Sequence, residues 1–338
     1  MSGQAPRPQQ LQELLLGGEM RYTRLDASRL SGVSLEFSER IWRSFGFPSP
    51  PDDAVAFTEG DLTALKRIKD LLDRGVLGAD SQAVLLRQVR AVGQTMARLA
   101  DWQSSIVSAA LTEAARESAS PLDVAESLEF LGGVAEEFLA EMQPLLVHAW
   151  RRQLAASAAR AYATTQLKDD TMPGRPPIAV GFADMVSFTA MSRELDEMEL
   201  GRVVERFEET AADIVASHGA RLVKTLGDEV LFCADSPVLG GEIALTIAEA
   251  IKDETEVPDV RVGVAYGPVL PLMGDVFGTT VNLAARLTSL ARPGSVVIDA
   301  DLAAELEDVK GFEITRIVRR PVRGLGIIQP FVLRRSQP

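Results

Sequence analysis

The feature that most constrains this chain is a change of pattern at one place. Lys168-Asp-Asp-Thr-Met-Pro-Gly-Arg-Pro-Pro177 is charged and proline-rich. Its prolines cannot continue a helix, so the stretch reads as a boundary. Before it, apolar residues recur at helical spacing. After it, apolar runs of strand length alternate with helical segments. The chain therefore divides near residue 170 into an all-helical half and an α+β half, which suits a length of 338 residues. The predicted organisation is a loose arm over 1–12, a helical domain over 13–167, a linker over 168–177 and a mixed domain over 178–335.

In the helical half, Leu62, Leu65, Ile68, Leu71 and Leu72 mark one face of a helix over Glu59–Gly75, capped by Thr58 or Asp61. Leu30–Phe45 reads as an earlier helix, cut off by the prolines of Phe47–Asp53. Ser81–Ala100 and Ser104–Glu117 predict two more. Ser120-Pro121-Leu122-Asp123 predicts a helix start, Pro144 a break or kink, and Leu145–Leu167 an exit helix.

In the second half, Ile178–Phe182 reads as a strand and Ser192–Ser217 as an amphipathic helix ended by Gly219. Arg221–Thr225 and Glu229–Cys233 read as strands joined through Leu226-Gly227-Asp228, a hairpin signal. Pro237–Lys252 and Thr280–Ala291 read as helices. Val260–Tyr266, Ser295–Ile298, Phe312–Val318 and Phe331–Leu333 read as strands. The β-α-β-β-α-β order predicts a ferredoxin-like α+β fold, an antiparallel or mixed sheet with helices on one face.

Charge removes several function classes. The net charge is −13, with −5 in residues 1–170 and −8 in the rest, so neither half has the basic excess of a nucleic-acid binder. No apolar run reaches membrane-spanning length. The first residues lack the basic and apolar regions of a secretory signal, and a cytoplasmic location is expected. The single cysteine, Cys233, excludes a disulfide framework and a cysteine-rich zinc site.

Several residues of the second half suggest chemistry, each with a plainer alternative. Asp184 follows an apolar strand and Asp228 sits in a tight turn. Carboxylates at strand ends can share two Mg²⁺ or Mn²⁺ ions, and they are also ordinary turn residues. Phe188 and Thr189 lead into the Ser192–Ser217 helix, and a strand, short turn and helix N-terminus present free N–H groups that suit a polyphosphate. Lys224 interrupts an apolar strand, or simply points to solvent. Asn282 and Arg286 lie four apart on one helix face, with Asp275 just before it. Such a pair can hold a sugar oxygen and neutralise phosphoryl charge, or form an exposed polar stripe.

Phe182-Ala-Asp-Met-Val-Ser-Phe-Thr189, Val223-Lys-Thr-Leu-Gly-Asp-Glu-Val230 and Gly274-Asp-Val-Phe-Gly-Thr-Thr-Val-Asn-Leu-Ala-Ala-Arg286 closely resemble the class III nucleotidyl cyclases, over about Pro177–Leu333. The resemblance implies that Asp184 and Asp228 hold two divalent metals, with the Met185 carbonyl as an extra ligand. It implies that Lys224 and Asp275 read adenine, that Asn282 orients the ribose, and that Arg286 stabilises the pentavalent phosphorus. Phe188, Thr189 and Arg323 would contact the phosphates. Guanylate cyclases usually carry Glu and Cys or similar at the base-reading positions, so the implied substrate is ATP. In this family the site forms between two catalytic domains, which implies a homodimer. The alternatives are a guanylate cyclase and a catalytically silent nucleotide-binding regulator.

Tyr22–Gly75 resembles the helix-turn-helix head of MerR-type regulators, through Leu25-Asp-Ala-Ser-Arg-Leu-Ser-Gly-Val-Ser34 and Phe57-Thr-Glu-Gly-Asp-Leu62. Residues 1–60 hold 6 basic and 8 acidic side chains, which favours dimerisation or sensing over DNA binding. The architecture resembles actinobacterial cyclases whose helical N-terminal domain inhibits catalysis in a pH-dependent way. His148 is the regulatory candidate, as histidine titrates near neutral pH, and His218 reads as structural. Asp101–Trp150, with 9 acidic residues and 1 basic one, is a second pH-sensitive possibility. The Val84–Leu86 surface is a possible fatty-acid contact.

Overall fold

The computed structural model describes residues 8–78, 80–117, 124–166 and 176–336. The chain forms two compact units, Met1–Gln166 and Leu167–Pro338. The first holds α1 (Pro8–Leu16), α2 (Arg24–Ser31), α3 (Leu35–Phe45), α4 (Glu59–Asp73), α5 (Ser81–Glu117) and α6 (Val124–Gln166). Thr23 and Thr58 each form a capping box with the aspartate three residues on, so both residues proposed to cap α4 take part. Phe37, Ile41, Leu62, Leu65 and Ile68 bury one face each of α3 and α4 against Leu85 and Val89 of α5.

Several helix boundaries differ from expectation. The arm is helical from Pro8, because Pro suits a first helical position and a Gln/Leu/Glu run favours helix. Leu30–Phe45 is two helices, since Gly32 takes a left-handed conformation (φ 71°) that ends α2. The two helices expected over residues 81–117 are one. Pro144 lies inside an unbroken α6. The start expected at Ser120–Asp123 lies outside the described residues, as do residues 168–175 of the linker. Leu85 is buried and Leu86 packs on the same core, so much of the Val84–Leu86 surface is already occupied.

The second unit runs β1 (Ile178–Met185), α7 (Phe188–Glu194), α8 (Glu197–Ser217), β2 (Arg221–Thr225), β3 (Glu229–Ala234), α9 (Pro237–Asp253), β4 (Val260–Gly267), β5 (Leu270–Leu272), β6 (Asp275–Phe277) and α10 (Thr279–Leu290). It continues through β7 (Ser295–Ile298), α11 (Ala300–Leu306), β8 (Phe312–Arg316), β9 (Arg320–Val322), β10 (Gly326–Ile328) and β11 (Phe331–Arg335). Seven strands form one sheet in the order β2-β3-β1-β4-β7-β11-β8. Only β4 and β7 pair in parallel, so the sheet is mixed. Two small hairpins, β5–β6 and β9–β10, and the helix α11 were not expected from the sequence.

The sheet is covered on both faces, not one. Ala179, Ala183, Phe232, Val262 and Val264 face α8, α9 and α11. The alternate residues, Val180, Phe182, Leu231 and Ala265, face α10. This alternation follows from the two-residue period of strands. Helix α10 lies very close to β4. A Cβ built on Gly263 would come within 2.1 Å of the Thr288 nitrogen and 2.6 Å of the Ala284 oxygen. The α8 region also departs from expectation. A break at Leu195–Asp196 separates α7 from α8, because Asp196 caps the new helix with Glu199.

Among the described residues, no helix is long and apolar enough to cross a membrane.

Candidate active site

Strand β1 extends to Met185, so Asp184 is a strand residue and not a residue beyond the strand. Its register neighbours are Glu229 on β3 and Arg261 on β4. Residues directly opposite one another in adjacent strands present their side chains on the same face. Glu229, Asp184 and Arg261 therefore form a lateral row on the α10 face, next to Asp228. The β2–β3 turn positions Asp228. Gly227 takes φ 73°, a conformation that glycine accepts without strain. The turn is tied to β1 by the Met185 N–H, which donates to the Asp228 carbonyl at 2.8 Å.

The electrostatics follow from this crowding. Burial, the largest influence, raises the Asp184 carboxyl above its ordinary value, and Asp228 adds to it, although Arg261 donates to Asp184 Oδ2 and opposes the shift. Burial pushes the Glu229 carboxyl up to about 7, helped by Asp184 and then Asp228, while Lys224 opposes it. The sequence reading passed over Glu229 and Arg261. A signal was present for each: Glu229 follows Asp228 directly, and Arg261 breaks an otherwise apolar strand.

Lys224 and Asp275, 51 residues apart, meet through Nζ and Oδ2 at 2.5 Å. Their side chains are 32% and 26% exposed, so neither is a free solvent residue. A β-bulge between Leu222 and Lys224 explains the placement. Leu222 packs on the α8/α9 side and Val223 on the α10 side. Simple alternation would return Lys224 to the Leu222 side. The bulge instead sets Lys224 opposite Leu231, on the α10 face.

Asn282 and Arg286 are exposed on α10, whose opposite side is buried through Ala284, Leu287 and Thr288. Among the described residues, neither side chain has a hydrogen-bond or ion-pair partner, and nothing joins them to Asp184, Asp228, Lys224 or Asp275. Phe188 packs its ring on the core, so any phosphate contact from it would come from its backbone. Thr189 is exposed in the first turn of α7. Arg323 is exposed in the β9–β10 turn, outside the main sheet. His148 is exposed on α6. His218 ends α8, with Nδ1 2.7 Å from the Ile214 carbonyl.

The acidic set can be tested against a divalent metal by its donor chemistry. Among the described residues, no three metal-ligating side chains converge on one point. Asp184 and Asp228 with the Met185 carbonyl offer oxygen donors alone. Mg²⁺ accepts one or two carboxylates completed by water and substrate phosphates, so this set fits such an ion.

Comparison with known proteins agrees with these motifs. The adenylate and guanylate cyclase catalytic domain matches residues 171–335. An adenylate cyclase of Streptomyces coelicolor is 42% identical over 359 residues, covering 98% of this chain and 91% of that protein. A pH-sensitive adenylate cyclase of Mycobacterium tuberculosis is 30% identical over 311 residues, covering 90% of this chain and 76% of that protein. The crystal structure of the adenylyl cyclase CyaB from P. aeruginosa is similar at 20% identity and a TM-score of 0.43, covering 48% of this chain and 95% of that one. With likeness running over nearly its whole length and the catalytic domain matched in its second unit, the chain belongs to the adenylate and guanylate cyclase family.

Proposed function

We propose that this enzyme is an adenylate cyclase that converts ATP to 3′,5′-cyclic AMP and pyrophosphate in a homodimer. The observation that carries the choice of ATP is the Lys224–Asp275 pair. An ammonium and a carboxylate side by side present one donor and one acceptor. Adenine offers the complement, a ring-nitrogen acceptor beside an amine donor, whereas guanine reverses the pattern. This argues against the guanylate cyclase alternative.

In this reading, Asp184, Asp228 and the Met185 carbonyl hold two Mg²⁺ or Mn²⁺ ions. When bound, these ions lower the pKa of the ribose 3′-hydroxyl and neutralise the triphosphate. Asn282 orients the ribose and Arg286 donates to the phosphoryl oxygens as charge builds on them. The N–H groups of Phe188 and Thr189, with Arg323, bind phosphate oxygens. Among the described residues, Asn282 and Arg286 have no side-chain partner and stand exposed on α10, which supports a site completed by a second copy. Proton control through the helical unit, with His148 as one sensor, is part of this reading, and a relative named as a pH-sensitive adenylate cyclase is in keeping with pH control as such.

Incubation of the purified protein with ATP or GTP and Mn²⁺ across pH 5.5–8.5, followed by product identification, tests the activity. Cyclic AMP from ATP is expected; cyclic GMP from GTP alone, or no product, would overturn it. Asp184→Ala and Asn282→Ala proteins, each inactive, should recover part of the activity when mixed. No recovery in a verified heterodimer would remove the shared site. A chain starting near Asp170 that kept the full-length pH profile would remove the helical unit as sensor.

A further inference from the structure

Arg261 is the cation nearest the proposed metal carboxylate, and it comes from a strand that the family motifs quoted above do not include. It stands opposite Asp184 in the β1–β4 register, and its Nη2 donates to Asp184 Oδ2. The hold is a single contact. Its Nε is buried and has no hydrogen-bond partner, so the guanidinium does not use its two-pronged fork on the carboxylate. The side chain is 33% exposed, which leaves it room to turn away.

We propose that Arg261 is a built-in competitor for the Asp184 carboxylate. In the metal-free protein its guanidinium occupies one of the two Asp184 oxygens and neutralises the carboxylate that a divalent cation would bind, and so it sets the cation concentration at which the site loads. This rests on the reading of Asp184 as a metal carboxylate. The physical argument is one of exchange. Glu229 stands opposite Asp184 in the β1–β3 register and Asp228 adjoins it in the turn tied to Met185, so three carboxylates gather beside Arg261. Arg261 supplies their counter-charge until a cation replaces it, so the apparent metal affinity is the intrinsic affinity reduced by the cost of releasing the arginine. An arginine that merely supported the strand would have the opposite effect on removal, because a loosened site binds more weakly.

The test is Mn²⁺ binding to the full-length chain without nucleotide, followed by the electron paramagnetic resonance signal of free Mn²⁺. Arg261→Gln should bind Mn²⁺ about five- to tenfold more tightly than the wild type. Arg261→Lys should fall between them, since it keeps the charge without the guanidinium. Arg320→Gln removes an exposed charge from β9 and should change binding little. Unchanged or weaker binding in Arg261→Gln overturns the proposal, as does equal tightening in Arg320→Gln. Should Arg261→Gln fail to fold, tightening in Arg261→Lys supports the proposal and its absence overturns it. Asp184→Asn should lose binding; if it binds as well as the wild type, the metal-site reading fails instead.

Discussion

Gly263→Ala is the sharpest test of how the fold sets the catalytic geometry. The new Cβ would lie 2.1 Å from the Thr288 nitrogen, 2.5 Å from Thr288 Oγ1 and 2.6 Å from the Ala284 oxygen. Two of these are helix backbone atoms, so no flexible side chain can swing aside. Ordinary contact begins at 3.4 Å, so α10 must retreat from β4 by roughly 1 Å. Overpacking of this kind costs about 1–3 kcal/mol. For a domain of 150–250 residues each kcal/mol lowers Tm by about 2–4 °C, which gives a loss of about 2–12 °C. The same helix carries Asn282 and Arg286. A shift of roughly 1 Å in catalytic groups can cost about 100-fold in rate. Activity should therefore fall by more than the loss of folded protein explains. Circular dichroism melting and kcat on ATP, measured below the lowered Tm, read both effects. Gly201→Ala, on an open face of α8 with nothing within 4 Å, is the control and should lose neither. A Gly263→Ala protein with wild-type Tm and kcat would refute the reasoning.

Two further outcomes follow from the charges. Burial pushes the Asp299 carboxyl from 3.8 up to about 7, although it accepts N–H groups from Leu302 and Tyr266. The folded protein thus keeps a proton that the unfolded chain loses near pH 4. The associated stability is fully present below that pH and is lost as pH rises towards 7, by up to about 1.4 kcal/mol per pH unit. Asp299→Asn should flatten this slope in urea titrations from pH 4.5 to 8, and an unchanged slope would exclude Asp299 as its source. Lys224→Glu with Asp275→Cys should raise GTP use relative to ATP by about tenfold or more in kcat/KM, because the donor and acceptor order then suits guanine. A ratio that stays with ATP would show that the pair does not read the base.

Much of the element order was legible from residue spacing, because helices and strands announce their periods locally. Strands β3 and β7 and helices α9 and α10 fall within a residue or so of expectation. Short hairpins such as β5–β6 gave no such signal, since three residues cannot establish a period. The helix boundaries failed where a single capping residue overrode a longer pattern, as at Gly32 and Asp196.

By itself the sequence determined the two-part organisation, the acidic character and the identity of the motif residues. Tertiary structure decided their company. Lys224 faces Asp275 because a bulge moves it off its alternating side. Asp184 sits between Glu229 and Arg261 because strands far apart in sequence align at that register. Both covered faces of the sheet arise from the same cause. Periodicity reports which side chains share a face of one element. Which element lies beside it depends on long-range pairing and packing, which no local pattern encodes.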